Sequence, residues 1–235
     1  ARPGDAVLTI GTSGVACIVD AAFHPGPQRA ILTSAHVVPQ VFLSMGVVMS
    51  ATATLDWVGQ MTGRKVPELD AEAPAFVAAH GPAAAPVFLP CLSGIRTPWN
   101  RPDMTGRVTG LHPGVTPAML AYATMEGVAF QFADCVAAQQ EVGARPERFT
   151  VVGGGTRSRL WLRLLSTALD RPVSLIDGAD IAGPRGAARL AAVAAGAPAS
   201  VLGEPIAPTG LVSPEMALAE AIAPRREAMR AMMMS

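Results

Sequence analysis

Charge is scarce in this sequence. Only 15% of its 235 residues are Asp, Glu, Lys or Arg, and eighteen basic residues cancel eighteen acidic ones. Without a basic excess there is no electrostatic footprint for DNA or RNA, so no nucleic-acid partner is expected. Cysteine is scarcer still: Cys17, Cys91 and Cys135 lie far apart and make neither a disulfide framework nor a metal spacing. Reduced thiols in a cytoplasmic protein are the expectation. His24, His36, His80 and His112 are equally scattered, which excludes a recognisable zinc motif. Long apolar runs are also missing. Between Ala30 and Leu55 only His36 could carry a charge, but Ser34, Pro39, Gln40 and Ser44 interrupt the segment before it reaches the ~20 residues of a membrane span. The stretch Ala1-Arg2-Pro3-Gly4-Asp5 leads straight into a strand-like run and reads as no secretory signal. A soluble protein without a membrane partner is expected.

Half of the residues are hydrophobic, which is enough for a substantial core in one large domain or two small ones. Two apolar runs, residues 6–10 and 15–19, flank Gly11-Thr12-Ser13-Gly14 and read as a hairpin with a tight turn. Two hydroxyls among glycines suit a phosphate, since each hydroxyl and amide can donate to an oxyanion; an ordinary hairpin turn fits this stretch equally well. Strands are expected at 31–38 and 41–48, then helices at 50–61 and 66–80. A brief strand at 87–90 enters a long Gly/Pro-rich loop that runs to Pro117, in which Arg96 is expected to tie the loop to backbone carbonyls. Thr116-Pro117 is a good helix start, and the helix should run to about Val142, covered nearly all round, with Glu126 in a structural rather than a catalytic role.

A β-branched run then stops at Gly153-Gly154-Gly155, and a helix is expected from Ser158 to about Leu169. Consecutive glycines at a strand-to-helix junction permit close approach by a phosphate or nucleotide. A strand follows at 173–176, ending at Asp177, then an alanine-rich helix at 186–195 and a helix start at Ser213-Pro214. The tail from Pro224 is expected to be a surface helix that packs its methionines on the body. A dinucleotide site is one reading of Gly153-x-Gly155-x-x-Ser158 with Asp177. Against it stands the absence of a further strand after Asp177, where only helix and Pro-rich chain are expected.

Two glycine turns in one domain fit a different pattern. The segments Thr9-Ile10-Gly11-Thr12-Ser13-Gly14, Leu55-Asp56-Trp57 and Leu89-Pro90-Cys91-Leu92-Ser93-Gly94-Ile95-Arg96-Thr97-Pro98 recur in order with Gly106-Arg107-Val108-Thr109-Gly110-Leu111 and Met125-Glu126-Gly127. Val152-Gly153-Gly154-Gly155-Thr156-Arg157-Ser158-Arg159-Leu160-Trp161 and Gly186-Ala187-Ala188-Arg189-Leu190 complete the set. This resembles the carboxy-terminal domain of the FGGY carbohydrate kinases, most closely the xylulokinases. The resemblance implies an α/β fold of the ribonuclease-H-like, actin-like ATPase class, a mixed sheet flanked by helices. It implies a single nucleotide-binding domain over 1–235: hairpin strands and first helix in 1–63, helix and long loop in 64–117, and core helix, glycine-rich ATP loop and C-terminal helices in 118–235.

The resemblance also implies ATP and Mg2+ as cofactors and a ketopentose, D-xylulose, as phosphoryl acceptor. Gly11, Thr12 and Ser13 would meet the terminal phosphates and Gly110 the phosphate chain. Gly154 and Gly155 would lie by the α-phosphate and ribose, and Ser158 near the adenosine. No metal ligand falls on this chain, and a homodimer is among the assemblies implied. Ile95, Met119 and Thr167 depart from the family's usual residues. The catalytic Asp and the N-terminal sugar-binding domain are expected upstream of Ala1, so these residues would be the ATP-binding half, inactive alone. The alternatives are a kinase for gluconate, ribulose or glycerol, or a non-catalytic actin-like nucleotide-binding module.

Overall fold

The computed structural model describes residues 2–234. β1 (Asp5–Ile10) and β2 (Gly14–Asp20) form the expected hairpin. β3 (Leu32–Ala35) and β4 (Phe42–Val48) form a second antiparallel pair. β3 stops short of Val38 because the chain already turns at His36, whose amide donates to the Val41 carbonyl at 2.9 Å and whose Nδ1 accepts from the Val38 amide at 2.9 Å. α1 (Thr52–Thr62) and α2 (Val66–His80) follow. β5 (Val87–Leu89) and β6 (Arg107–Thr109) then pair as a small separate sheet. The chain continues through α3 (Pro117–Glu141), β7 (Arg148–Val152), α4 (Arg159–Leu169), β8 (Val173–Ile176), α5 (Ala182–Ala194), β9 (Pro208–Val212) and α6 (Met216–Met234).

The main sheet runs β3-β4-β2-β1-β7-β8-β9. β1 lies at its centre and pairs in parallel with β7, Thr9 opposite Val152. The chain therefore leaves these neighbouring strands at the same edge of the sheet, once into Gly11 and once into Gly153. In open α/β sheets the carboxyl ends of parallel strands are where ligands bind. β9 corrects the expectation that no strand follows Asp177. It pairs antiparallel with β8, Val173 opposite Val212, so it is still not the parallel strand that a dinucleotide fold requires.

Alternation along β1 and β2 sends Ala6, Leu8, Ile10, Ala16 and Ile18 to one buried face. α3 covers that face. Thr116 caps it, accepting from the Met119 amide at 3.4 Å, and Pro117 occupies its first turn. Gln139 reaches from α3 into the sheet, donating to the Ser44 carbonyl at 2.8 Å and the Ala16 carbonyl at 3.2 Å. Gly127 lets the small sheet press against the opposite side of α3: a Cβ there would sit 2.4 Å from the Phe88 carbonyl oxygen and 2.9 Å from Pro90 Cδ. Gly127→Ala should therefore destabilise the chain by about 2 kcal/mol, the overpacking cost exceeding the gain in helix propensity. A urea titration reads this directly, and an unchanged midpoint would show that the small sheet is free to retreat.

All three cysteines are free. Burial lifts the Cys17 and Cys91 thiols to about 11, so both are protonated near neutral pH. Among the described residues no helix is long and apolar enough to cross a membrane.

Candidate functional site

The turn after β1 is tied down through its carbonyls. Those of Gly11 and Thr12 accept from the Thr52 and Ala51 amides at 2.9 Å, using the orphan donors at the start of α1. With the carbonyls turned toward α1, the outward side of the turn is left with donors. The Thr12 and Ser13 hydroxyls are exposed and bond to no described residue, and neither residue's amide has a backbone partner outside the strands. Such a surface of amide and hydroxyl donors attracts an anion.

The triple-glycine turn stands next to it. A Cβ on Gly153 would be 2.6 Å from the Ile10 carbonyl oxygen, and one on Gly155 would be 2.3 Å from Ile10 Cγ2. Ile10 immediately precedes Gly11, so the two turns meet over the last residue of β1. Gly153 also needs its freedom for conformation, at φ +94. Gly154 differs from both: nothing lies within 4 Å of its would-be Cβ, and its φ is not in the left-handed region. The loop is braced by Thr156, whose hydroxyl donates to the Gly153 carbonyl at 2.7 Å. Gly154 is thus a rigidly held backbone position facing open space.

Gly110 and Ser158 sit less directly. Gly110, at φ +81, follows β6, and its would-be Cβ would meet Pro86 Cα at 3.7 Å. Ser158 is buried, and its hydroxyl caps α4, accepting from the Trp161 amide at 3.2 Å. Its side chain is therefore occupied in fixing where α4 starts behind the glycines.

One expectation about a charged residue fails. Arg96 does not tie its loop: its side chain is exposed and bonds to no described residue. Thr97 does that work, its hydroxyl accepting from the Val47 amide at 3.0 Å and donating to the Ala30 carbonyl at 2.9 Å. Arg225, in the tail, is 7% exposed and pairs with Glu126, which is 1% exposed, at 2.8 Å. Burial pushes the Glu126 carboxyl above its ordinary value, opposed by Arg225 and by the Tyr122 hydroxyl, which donates to it at 2.8 Å. The expected structural role of Glu126 thus has a specific partner. Of the tail methionines, Met229, Met232 and Met233 pack inward as expected, while Met234 is exposed.

No described group of His, Cys, Asp and Glu could hold a metal ion. What the turns offer is a short line of amides and hydroxyls beside an open glycine, suited to a phosphate chain.

Known proteins share both sequence and shape with this chain. Residues 6–195 match the C-terminal domain of the FGGY family of carbohydrate kinases. A xylulose kinase of Escherichia coli K12 is 38% identical over 194 residues, 81% of this chain and 39% of that protein. The crystal structure of a xyloylose kinase from Brucella ovis superposes with a TM-score of 0.89 at 35% identity, over 99% of this chain and 48% of that one. The xylulose kinase of Rhodospirillum rubrum superposes at 0.81 and 27% identity, over 99% and 47%. This chain spans about two fifths of the length of the curated relatives it matches. Its mixed sheet and flanking helices are the actin-like ATPase fold that was expected. With residues 6–195 matched by the family domain and nearly its whole length superposing on a relative, the chain belongs to the FGGY carbohydrate kinases, as their C-terminal domain.

Proposed function

We propose that these residues are the ATP-binding lobe of a xylulose kinase, which transfers the γ-phosphoryl group of ATP to D-xylulose. The observation that carries this reading is the turn at Thr12 and Ser13, with its amides and hydroxyls unpartnered among the described residues, beside the open backbone of Gly154. Phosphoryl transfer asks little covalent chemistry of the protein; it asks for positioning and for stabilisation of charge on the transferred group. The Thr12 hydroxyl and the amides of the turn supply donors for the terminal phosphates. Gly154 and Gly155 admit the α-phosphate and ribose, Gly110 borders the phosphate chain, and Ser158 fixes the helix start behind them. Mg2+ would arrive with the nucleotide and neutralise phosphate charge, held by the phosphates rather than by a carboxylate cluster. The carboxylate that takes the proton from the sugar hydroxyl belongs to the sugar-binding part of the enzyme, outside these residues.

The choice of xylulose rests on the matched relatives, so it is tested on the full-length protein. ATP-dependent phosphorylation of D-xylulose, ribulose, gluconate and glycerol should give the highest kcat/KM with xylulose. A higher value for another acceptor would replace the substrate but keep the kinase. ATP binding without phosphorylation of any acceptor would point instead to a nucleotide-binding module without catalysis.

A further inference from the structure

α1 begins without a side-chain cap. Ala51 stands in the cap position and has no side-chain oxygen to offer the first amides of the helix. The amides at this start are used on the turn after β1 instead. Thr52 donates to the Gly11 carbonyl at 2.9 Å, and Ala51 and Ala53 donate to the Thr12 carbonyl at 2.9 and 3.3 Å. The remaining carbonyl of the turn, that of Ser13, accepts from the Gly11 amide at 3.0 Å. Every carbonyl from Gly11 to Ser13 therefore has a donor, and those of Gly11 and Thr12 are held by α1 alone. The place of the helix start decides which side of the turn an incoming anion meets.

Two buried hydroxyls set that start. β4 ends beside the turn, Val48 opposite Gly14, and the chain reaches α1 through Met49, Ser50 and Ala51. Thr54, in the first turn of α1, is fully buried and donates its hydroxyl to Ser50 Oγ at 2.9 Å, with the Ser50 carbonyl at a longer 3.4 Å. Ser50 is buried as well. The bond therefore spans the junction between β4 and α1. Its surroundings are apolar: the other buried residues of α1 are Leu55, Val58 and Gly59. A hydroxyl in such a place costs free energy unless it is paired. On packing alone a valine, with the same outline and no polar atom, would serve.

We propose that Thr54 is a positioning residue of the nucleotide site: its bond to Ser50 holds the start of α1 where the amides of 51–53 keep the Gly11 and Thr12 carbonyls turned inward. This rests on the nucleotide reading above. A carbonyl released from α1 can swing to the outer side of the turn, where it meets a phosphate oxygen with an acceptor instead of a donor. Thr54 acts from within the core, and what it sets is the direction of the dipoles that the turn presents.

The test uses the 235-residue chain, with ADP affinity from calorimetry and hydrogen exchange read on the nucleotide-free protein. Thr54→Val should weaken ADP binding about fivefold, the factor that one neutral hydrogen bond corresponds to. The amides of Ala51, Thr52 and Ala53 should exchange faster while those of β1 keep their protection. Thr54→Ser keeps the hydroxyl and should bind ADP within about twofold of wild type. Val58→Ala, one turn further along the same helix, sets the effect of lost stability alone and should leave ADP affinity unchanged. The proposal is overturned if Thr54→Val binds ADP like wild type, whatever its melting temperature. It is equally overturned if Thr54→Ser is as weak as Thr54→Val, or if Val58→Ala weakens ADP as much for the same loss of stability. Should Thr54→Val not fold, Ser50→Ala removes the nearer acceptor and leaves the longer bond to the Ser50 carbonyl, so it should weaken ADP about threefold. Wild-type affinity in Ser50→Ala would then overturn the proposal. A wild-type chain that binds no ADP would remove the nucleotide reading and this proposal with it, whereas wild-type binding that none of these variants changes would remove the proposal alone.

Discussion

Gly154→Val is expected to abolish ADP binding while moving the melting temperature of the chain by no more than about 2 °C. The two halves of that expectation come from one observation. Nothing lies within 4 Å of the position a Cβ would take at Gly154, so the fold has room for a side chain, and a ligand in that room does not. The other two glycines of the run give no such test. A side chain on Gly153 meets the Ile10 carbonyl, and one on Gly155 meets the Ile10 side chain, so either change would harm the fold first. A folded Gly154→Val chain that still binds ADP like wild type would move the nucleotide away from this loop.

The largest loss of stability is expected from Glu126→Ala, about 3–5 kcal/mol in urea unfolding. The change leaves the guanidinium of Arg225 buried without a carboxylate, with two neutral carbonyls and the Tyr122 ring, 5.7 Å to its centroid, for partners. Replacing both members by apolar residues, Glu126→Leu with Arg225→Met, should recover part of the loss, because buried ion pairs exchange well for packing. Recovery should stay incomplete. The Ala85 and Pro86 carbonyls lose their donor, and an orphaned buried acceptor costs about 1–3 kcal/mol. A cost below about 1 kcal/mol for Glu126→Ala would mean that water reaches the pair, despite its burial in the structure.

Much of this architecture was legible in the chain because its signals are local. The hairpin, the capped Thr116-Pro117 helix and the strand that stops at three glycines are each decided within about ten residues by alternation, capping and backbone freedom. What was illegible depends on partners distant in sequence. Arg225 lies among methionines in a tail that reads as surface, and only the fold brings it to Glu126, 99 residues away. β9 begins Pro208-Thr209-Gly210, which reads as loop, and becomes a strand because β8 offers it the edge of the sheet, where a proline is tolerated. That the Ser158 hydroxyl caps the helix it starts is likewise visible only in the structure. The three glycines were equivalent in sequence. Their difference lies in the location of Ile10, two packed against it and one facing outward.

The central claim is that the turns after β1 and β7 form one nucleotide site, and titrating the 235-residue chain with ADP in the presence of Mg2+ tests it most directly. Saturable binding at one site, weakened by Thr12→Val, is expected. No heat of binding from a folded wild-type chain, or binding that Thr12→Val leaves unchanged, would contradict it.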